Sequence, residues 1–270
     1  MHLKRWIMRL LLASVVGSWA PVSAQDAASA RPSPDSLRGS LIALNWSEVE
    51  VGDAAEMVDG ETYLNRRATE KAFKTRAPQA GILHLATHAL IDDQNPMYSK
   101  FVFAADTDSS EDGYLHTYEL YNMRLHAELA VLSACNTGVG RLSQGEGVMS
   151  LARGFTYAGV PSVVMSLWPV DDKSTAELTN HFYAGLKAGL KKDAALRQAK
   201  LRFLEQADAV KGSPFYWAGM VSIGDPKPIR ISSRRRAHIW FAVVGLVFIF
   251  GISLWRLSGR KLPVILGSKP

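Results

Sequence analysis

The sequence predicts an α/β domain in which helices cover both faces of a mainly parallel sheet. Two short apolar runs, residues 82–88 and 129–132, are bounded by turn-forming residues, which is typical of buried parallel strands. Segments with helical periodicity alternate with these strand candidates, and that alternation favours a parallel sheet. With 270 residues, 47% of them hydrophobic, the chain is long enough for one sizeable core and two tails.

The first half of the predicted domain begins near Leu44. Ser47 is followed by acidic residues and predicts a helix start, and Thr69 predicts the cap of a second helix. The acidic stretch over 106–113 lacks the glycine and distant glutamate of an EF-hand and is interpreted as a solvated turn. The expected elements are a helix over 47–58, a strand over 62–64, a helix over 69–75, a strand over 82–88, a hairpin arm over 100–104 and a short helix from Thr117.

The second half contains the remaining strands and the longest helices. Pro161 fits the start of a buried strand rather than its middle, and the helix before that strand carries its apolar residues on one face. No repeat period appears in the sequence, so helical-repeat arrays are not expected. The expected elements are strands over 129–132, 160–167 and 216–223, a loop over 138–147, and helices over 146–157, 172–190 and 192–206.

The candidate catalytic residues are Cys135 and His88, which follow two of the predicted strands. Cys135 is the only cysteine in the chain, and the small residues around it allow the backbone to turn and expose the thiol. Neighbouring parallel strands present their carboxyl ends to one crevice, so the thiol and the imidazole can meet there as nucleophile and base. The alternative for Cys135 is a small buried core residue.

Six short motifs, in order along the chain, carry a family resemblance. The motifs are His84-Leu-Ala-Thr-His88, Leu132-Ser-Ala-Cys135-Asn-Thr-Gly138, Gly145-Glu-Gly147, Ser166-Leu-Trp168-Pro-Val-Asp-Asp172, Phe182-Tyr183 and Tyr216-Trp217-Ala218. In order and wording they resemble the CHAT domain, a caspase-like (clan CD) cysteine peptidase family related to separases, over roughly residues 44–225. Cys135 follows His88 by 47 positions, which also agrees with the caspase pattern.

This resemblance implies a caspase-like three-layer sandwich and a cysteine endopeptidase activity, a hydrolase reaction without a cofactor or a metal. It assigns the nucleophile to Cys135 and the general acid and base to His88. The backbone N–H groups of Cys135 and Ala89 are the expected oxyanion donors. The family usually has glycine where this chain has Ala89. If that position needs a positive φ, the Cβ costs about 1–2 kcal/mol and slows catalysis.

Four further residues are expected near the crevice. The related separases place an acid in a similar motif to receive a basic substrate side chain, which implies this role for Asp171 and Asp172. The alternative is that Asp172 merely caps the following helix. His84 shares a strand face with His88 and is interpreted as a structural histidine, hydrogen-bonded behind the site. Glu146 lies within a family motif and is assigned to loop or helix-start order.

Charge and cysteine count exclude several classes of protein. Residues 1–24 hold three Lys and Arg residues and residues 230–270 hold eight, with no acids in either, which leaves 20 bases against 25 acids over 25–229. The net charge of +6 therefore comes from the tails and gives no support to nucleic-acid binding. One cysteine excludes a disulfide within the chain and makes a cysteine zinc site implausible. A glutamine amidotransferase needs a carboxylate two residues after its histidine, and none follows His88 in that way.

Both tails predict a membrane connection. Residues 1–24 combine a charged region, a short apolar region and a small-residue cleavage site, which predicts a signal peptide. The alternatives are an uncleaved anchor or a misassigned start. Residues 25–43 predict a flexible linker before a domain over 44–229. Residues 238–256 predict a transmembrane helix with tryptophans near its ends and arginines beside it, followed by a basic tail over 257–270.

The predicted location is the extracytoplasmic side of a bacterial membrane, because the first signal usually dominates the orientation. The predicted sheet is N-terminally truncated, since only the weak run over 40–44 could supply its first strand. A missing strand exposes a sheet edge, which calls for a partner protein that completes the sheet. The second functional hypothesis is therefore a catalytically weak or inactive module that serves as a membrane-tethered interaction or signalling domain. Its counterpart is a partner protein rather than a polypeptide substrate.

Overall fold

The computed structural model describes most of the predicted domain. It describes residues 10–14, 44–92, 94–106, 111–133, 146–169 and 171–231, and over 10–14 and 146–150 it describes the backbone alone. These residues belong to the first of two compact units, which ends at Ile231.

A six-stranded sheet forms the centre of the described chain. Its strands, in spatial order, are β2 (Tyr63–Leu64), β1 (Leu10–Ser14), β3 (Ile82–Leu85), β7 (Leu129–Leu132), β8 (Ser162–Ser166) and β9 (Met220–Gly224). The first five run parallel and β9 is antiparallel to β8. A separate antiparallel sheet contains β4 (Ala89–Leu90), β5 (Lys100–Val102) and β6 (Tyr114–His116). The mainly parallel sheet is as the sequence predicts.

Helices pack on both faces of the large sheet. They are α1 (Ser47–Val58), α2 (Glu70–Arg76), α3 (Thr117–Leu120), α4 (Glu146–Tyr157), α5 (Asp172–Lys187) and α6 (Lys192–Gln206). Side chains alternate along each strand, so Ile82 packs against the layer of α1, α5 and α6, while Leu83 and Leu85 pack against α2 and α4. Two separate apolar cores result, and the three-layer architecture is confirmed.

The first strand of the sheet comes from the segment whose composition predicts a signal peptide. Leu10–Ser14 pairs with β3 at four positions and with β2 at two. The expectation of an N-terminally truncated sheet is therefore wrong. Of the run over 40–44 that was its weak substitute, only Leu44 is described, and it belongs to no strand. A partner protein that completes the sheet was inferred from the missing strand, and the presence of β1 removes that reason. A removable signal over 1–24 stays a prediction that competes with this placement, since a cleaved segment cannot remain in the sheet.

Several element ends differ from the sequence expectations. β3 stops at Leu85, so His88 lies beyond the strand rather than within it. α5 ends at Lys187, and the last strand begins at Met220 because residues 214–216 form a short 3-10 helix. The hairpin arm is β5, which pairs with both β4 and β6.

Four predicted segments fall wholly or mostly outside the described residues. They are the linker over 25–43, the loop over 138–147, the transmembrane helix over 238–256 and the basic tail over 257–270. Within the described ranges, no helix combines the length and the apolar character required to cross a bilayer.

Candidate active site

His88 lies where the parallel strands of the large sheet end. Its side chain is 2% exposed. Val102 N donates to His88 O at 2.9 Å, and the Thr87 hydroxyl donates to the Val102 carbonyl. These bonds tie the turn after β3 to β5, so the backbone that carries the imidazole is held in place.

Cys135 lies outside the described residues, two positions after Ser133. The strands that lead to Cys135 and His88 are direct neighbours, and Leu85 of β3 pairs with Leu132 of β7. Each candidate residue follows its paired leucine by three positions. The sheet therefore directs the two chain segments toward the same edge.

Ala89 begins β4 and is buried. Among the described residues, the non-glycine positions with a positive φ are Asp59 and Asn65, so Ala89 carries no left-handed strain. Ala89 lies opposite Phe101 of β5, and the bond from Val102 N to His88 O makes the adjacent pair, His88 and Val102, the hydrogen-bonded one. In an antiparallel ladder the Ala89 N–H then points away from β5.

His84 is fully buried on the opposite face of β3 from Leu83 and Leu85. Its Nε2 lies 3.0 Å from Glu50 Oε1 and 3.3 Å from Ser133 Oγ. The ring stacks on Tyr183 with centroids 5.6 Å apart. A structural role for His84 requires buried hydrogen bonds and ring packing such as these. Its predicted position behind a catalytic site stays a prediction.

Sequence reasoning missed Glu50 and Ser133, which are both buried. Glu50 is an acid on the buried face of α1, beside Val51 and one turn before Ala54. An acid at such a position needs a buried partner, and this was the available signal.

The two candidate substrate-binding acids have different settings. Asp171 is the N-cap of α5, and its Oδ2 accepts from Ser174 N at 2.9 Å and from the Ser174 hydroxyl at 2.8 Å. Asp172 is half-buried, and its Oδ2 accepts from Trp46 N at 2.7 Å. Burial raises the pKa of Asp172, and the nearby Glu50 and Asp171 carboxylates add to that effect against the Trp46 bond. The capping residue is thus Asp171, one position before the expected one.

Glu146 is the first residue of α4, and its side chain lies outside the described part of the structure. Its predicted role at the helix start stays a prediction.

One group of carboxylates, away from these residues in sequence, has the spacing of a cation site. Glu70, Glu111 and Glu119 bring single carboxylate oxygens within 4.8 Å of one another. The Lys74 ammonium lies 2.7, 2.7 and 2.6 Å from these three carboxylates, respectively. The lysine therefore already supplies the positive charge that the three acids require.

Comparisons with known proteins identify the family. Residues 9–225 match the family described as "CHAT domain". Tetratricopeptide repeat protein 28 of Mus musculus and that of Homo sapiens are each 28% identical over 209 residues, which is 66% of this chain and 8% of the relative. The chain thus spans a small part of these relatives' length.

A solved structure of a cysteine peptidase shares the fold. The Arg-specific cysteine proteinase gingipain R superposes with a TM-score of 0.50 and 9% identity, over 84% of this chain and 48% of that one. Separase in the Saccharomyces cerevisiae separase–securin complex gives 0.49 and 13%, over 82% of this chain and 12% of that one. The resemblance predicted from the six motifs is confirmed, and it extends to β1 because the match begins at residue 9. This chain belongs to the CHAT domain family, and its fold is similar to that of a solved cysteine proteinase.

Proposed function

We propose that this chain is a cysteine endopeptidase in which Cys135 is the nucleophile and His88 is the general acid and base. The observation that carries the proposal is the register of β3 and β7, in which Leu85 pairs with Leu132. Residues at equal distances beyond paired positions of neighbouring parallel strands reach one crevice. Membership of the CHAT family supports the same pair of residues.

The proposed reaction has two halves. Cys135 first transfers its thiol proton to His88, and the thiolate then attacks the peptide carbonyl carbon, so that an S–C bond forms and the carbonyl oxygen becomes an oxyanion. The C–N bond then breaks as His88 donates a proton to the departing amine, which leaves an acyl-enzyme. In the second half His88 takes a proton from water, the hydroxyl oxygen attacks the thioester, and the thiolate is regenerated with a free carboxylate product.

Ala89 and Cys135 are the proposed backbone donors to the oxyanion. The direction of the Ala89 N–H, away from the ladder with β5, supports this role because the group is not used by that ladder. The extended backbone at Ala89 also removes the expected penalty for a Cβ there, since the penalty applies only at a positive φ.

The proposed substrate is a polypeptide with a basic residue before the scissile bond. Asp172 is the better candidate to bind it, because Asp171 already caps α5. A carboxylate binds an arginine or lysine side chain through charge-assisted hydrogen bonds. The raised pKa of Asp172 works against this role at low pH, when its carboxyl is protonated.

A second candidate function is that of a membrane-tethered interaction module with little or no activity. The observation that favours it is that the matching region makes up 8% of a protein named for tetratricopeptide repeats, so this type of domain occurs as a small part of a larger chain. The proposed tether is the segment over 238–256, with the globular part outside the cytoplasm. A reporter that is active only outside the cytoplasm, fused after Asp225, should be active, and a silent fusion would refute this location.

The test is peptide cleavage together with labelling of the sole cysteine. The full chain in detergent should cleave members of a peptide library, and a thiol-directed peptide electrophile should modify Cys135, as mapped by mass spectrometry. Cys135→Ala and His88→Ala should abolish cleavage, while the exposed His126→Ala is the matched control and should retain it. A folded chain that neither cleaves nor becomes labelled would refute the peptidase and favour the interaction module. The full chain is required because β1 lies in residues 10–14.

A further inference from the structure

We propose that Glu50, His84 and Ser133 form a positioning network that holds the end of β7, from which Cys135 follows two residues later. The inference rests on the proposed peptidase function, since it assigns these residues to the approach of the nucleophile. They are positioning residues, because each acts through the backbone that leads to Cys135.

The network joins three elements that are distant in sequence. Glu50 comes from α1, His84 from β3, and Ser133 from the first position after β7. All three are buried, and His84 Nε2 is the atom that meets both of the others, at 3.0 Å from Glu50 Oε1 and 3.3 Å from Ser133 Oγ. Tyr183 of α5 stacks on the imidazole and limits rotation of the ring.

The positions of the donors and acceptors define one consistent set of protons. The Nε2–H of His84 donates to the Glu50 carboxylate and is shared with the Ser133 oxygen, while the Ser133 hydroxyl donates to Leu85 O at 3.5 Å. His84 Nδ1 has no hydrogen-bond partner within the described ranges. This agrees with a hydrogen on Nε2 rather than on Nδ1, because a buried Nδ1–H without an acceptor would be costly.

Ser133 is thereby attached through both its backbone and its side chain. Its N–H donates to Leu85 O at 3.1 Å, and its hydroxyl meets both His84 and the same carbonyl. Leu85 belongs to the strand that leads to His88. The network therefore fixes the end of β7 to the end of β3, which are the two segments whose separation sets the distance between nucleophile and base.

The distance between Cys135 and His88 is expected to have a large effect on the rate of the proposed reaction. A misplacement of about 1 Å at a reacting group can reduce a rate by about 100-fold. Loss of the network should therefore lower kcat and leave KM nearly unchanged, because the substrate contacts are not altered.

The test compares two pairs of variants in the full chain. Glu50→Leu should lower kcat by about tenfold or more with KM within about twofold, while Glu50→Gln, which keeps an acceptor for Nε2–H, should restore most of kcat. Glu56→Leu is the matched control, since Glu56 is an exposed acid on the same helix. Ser133→Ala should lower kcat by at least about threefold. Its control is Ser162→Ala, because the Ser162 hydroxyl is buried and has no hydrogen-bond partner in the described structure.

A second readout separates this inference from the proposed function. The rate at which iodoacetamide alkylates Cys135 depends on the setting of the thiol and needs no peptidase activity. Changes of about threefold or more in Glu50→Leu and Ser133→Ala, but not in their controls, would support the network even if the wild-type chain cleaves no peptide. Unchanged kcat and unchanged alkylation in both variants would overturn it. If Glu50→Leu does not fold, the Ser133 and Ser162 pair decides.

Discussion

Replacement of Glu70 by glutamine should change how the stability of the chain depends on pH. Glu70 is 1% exposed, pairs with the Lys74 ammonium at 2.7 Å and accepts from Gly113 N at 2.9 Å. Burial raises the pKa of Glu70 from 4.5 to about 7, even though the hydrogen bond and the charge of Lys74 act in the opposite direction. Glu111 and Glu119 share the same ammonium and add to the increase.

The magnitude follows from the shift in pKa. An increase from 4.5 to about 7 is worth about 3 kcal/mol at about 1.36 kcal/mol per unit. A raised carboxyl pKa means that the folded chain binds the proton more tightly than the unfolded chain does. The contribution of Glu70 is therefore fully present below pH 4.5 and is lost as the pH rises through about 7.

Other groups near or within this pH range require a comparison between variants. Burial acts to raise the pKa of Glu119, but hydrogen bonds from Lys74 and His116 outweigh it and lower that pKa from 4.5. The contribution of Glu119 to stability is therefore lost only as the pH falls below 4.5. Burial lowers the pKa of His181, assisted by Arg202, so that its contribution increases as the pH rises. The contribution of His181 cancels when the Glu70→Gln chain is compared with the wild type at each pH. Glu119 shares Lys74 with Glu70, but its lowered pKa places its titration below the pH range that is compared.

The assay is urea unfolding of the full chain at about pH 5 and about pH 8. Relative to the wild type, Glu70→Gln should gain about 2.5 kcal/mol in unfolding free energy between the two conditions, because glutamine carries no charge to bury and part of the full contribution is already lost at about pH 5. Glu56→Gln, an exposed glutamate on α1, is the control and should show no such change. An equal effect of Glu70→Gln at both pH values would refute the assignment of a raised pKa to this carboxyl.

Two further predictions concern the cap of α5 and the strand β1. Asp171→Ala should lower the unfolding free energy by about 1 kcal/mol in thermal or urea melts, whereas Asp171→Asn should retain most of it, because asparagine also caps. Equal losses in both would contradict the cap. Ala13→Pro should destabilise the chain by about 1–3 kcal/mol or more, since Ala13 pairs with both β2 and β3 and proline orphans one ladder partner. Ala28→Pro, in the predicted linker, is its control, and limited proteolysis that fails to distinguish the two would refute the strand.

The sequence located β3 and β7 because strands buried on both faces consist of continuous apolar residues. All four positions of β3 and all four of β7 are buried, which agrees with the apolar runs. The exception in composition is His84, a polar residue of β3 that contacts Glu50. Thr69 was also located, since its side chain accepts from Ala72 N as the capping pattern predicts. Apolar runs and capping patterns are local features of the sequence, so they can be recognised without knowledge of the tertiary structure.

The contacts behind the candidate site could not be predicted in the same way. His84 and Glu50 are 34 positions apart in sequence, and His84 and Ser133 are 49 apart. They meet because α1 packs on the face of the sheet that carries His84, and no local pattern states which helix covers which strand. The alternative in which Asp172 caps α5 was off by one residue for a related reason, since the sequence does not say which of two adjacent aspartates takes the N-cap position.

The assignment of β1 raises a more general ambiguity between a sheet and a membrane. A strand buried in the middle of a parallel sheet and the core of an export signal require the same composition, a short run of apolar residues. The arginine and lysine residues before Leu10 favoured the signal, but they do not prevent Leu10–Ser14 from pairing with β3. The location of the domain and the integrity of its sheet are therefore coupled. Removal of residues 1–24 would leave β3 and β2 without the strand between them, on the side of the sheet that leads to His88. Export with cleavage and an intact sheet containing β1 exclude each other in the same molecule.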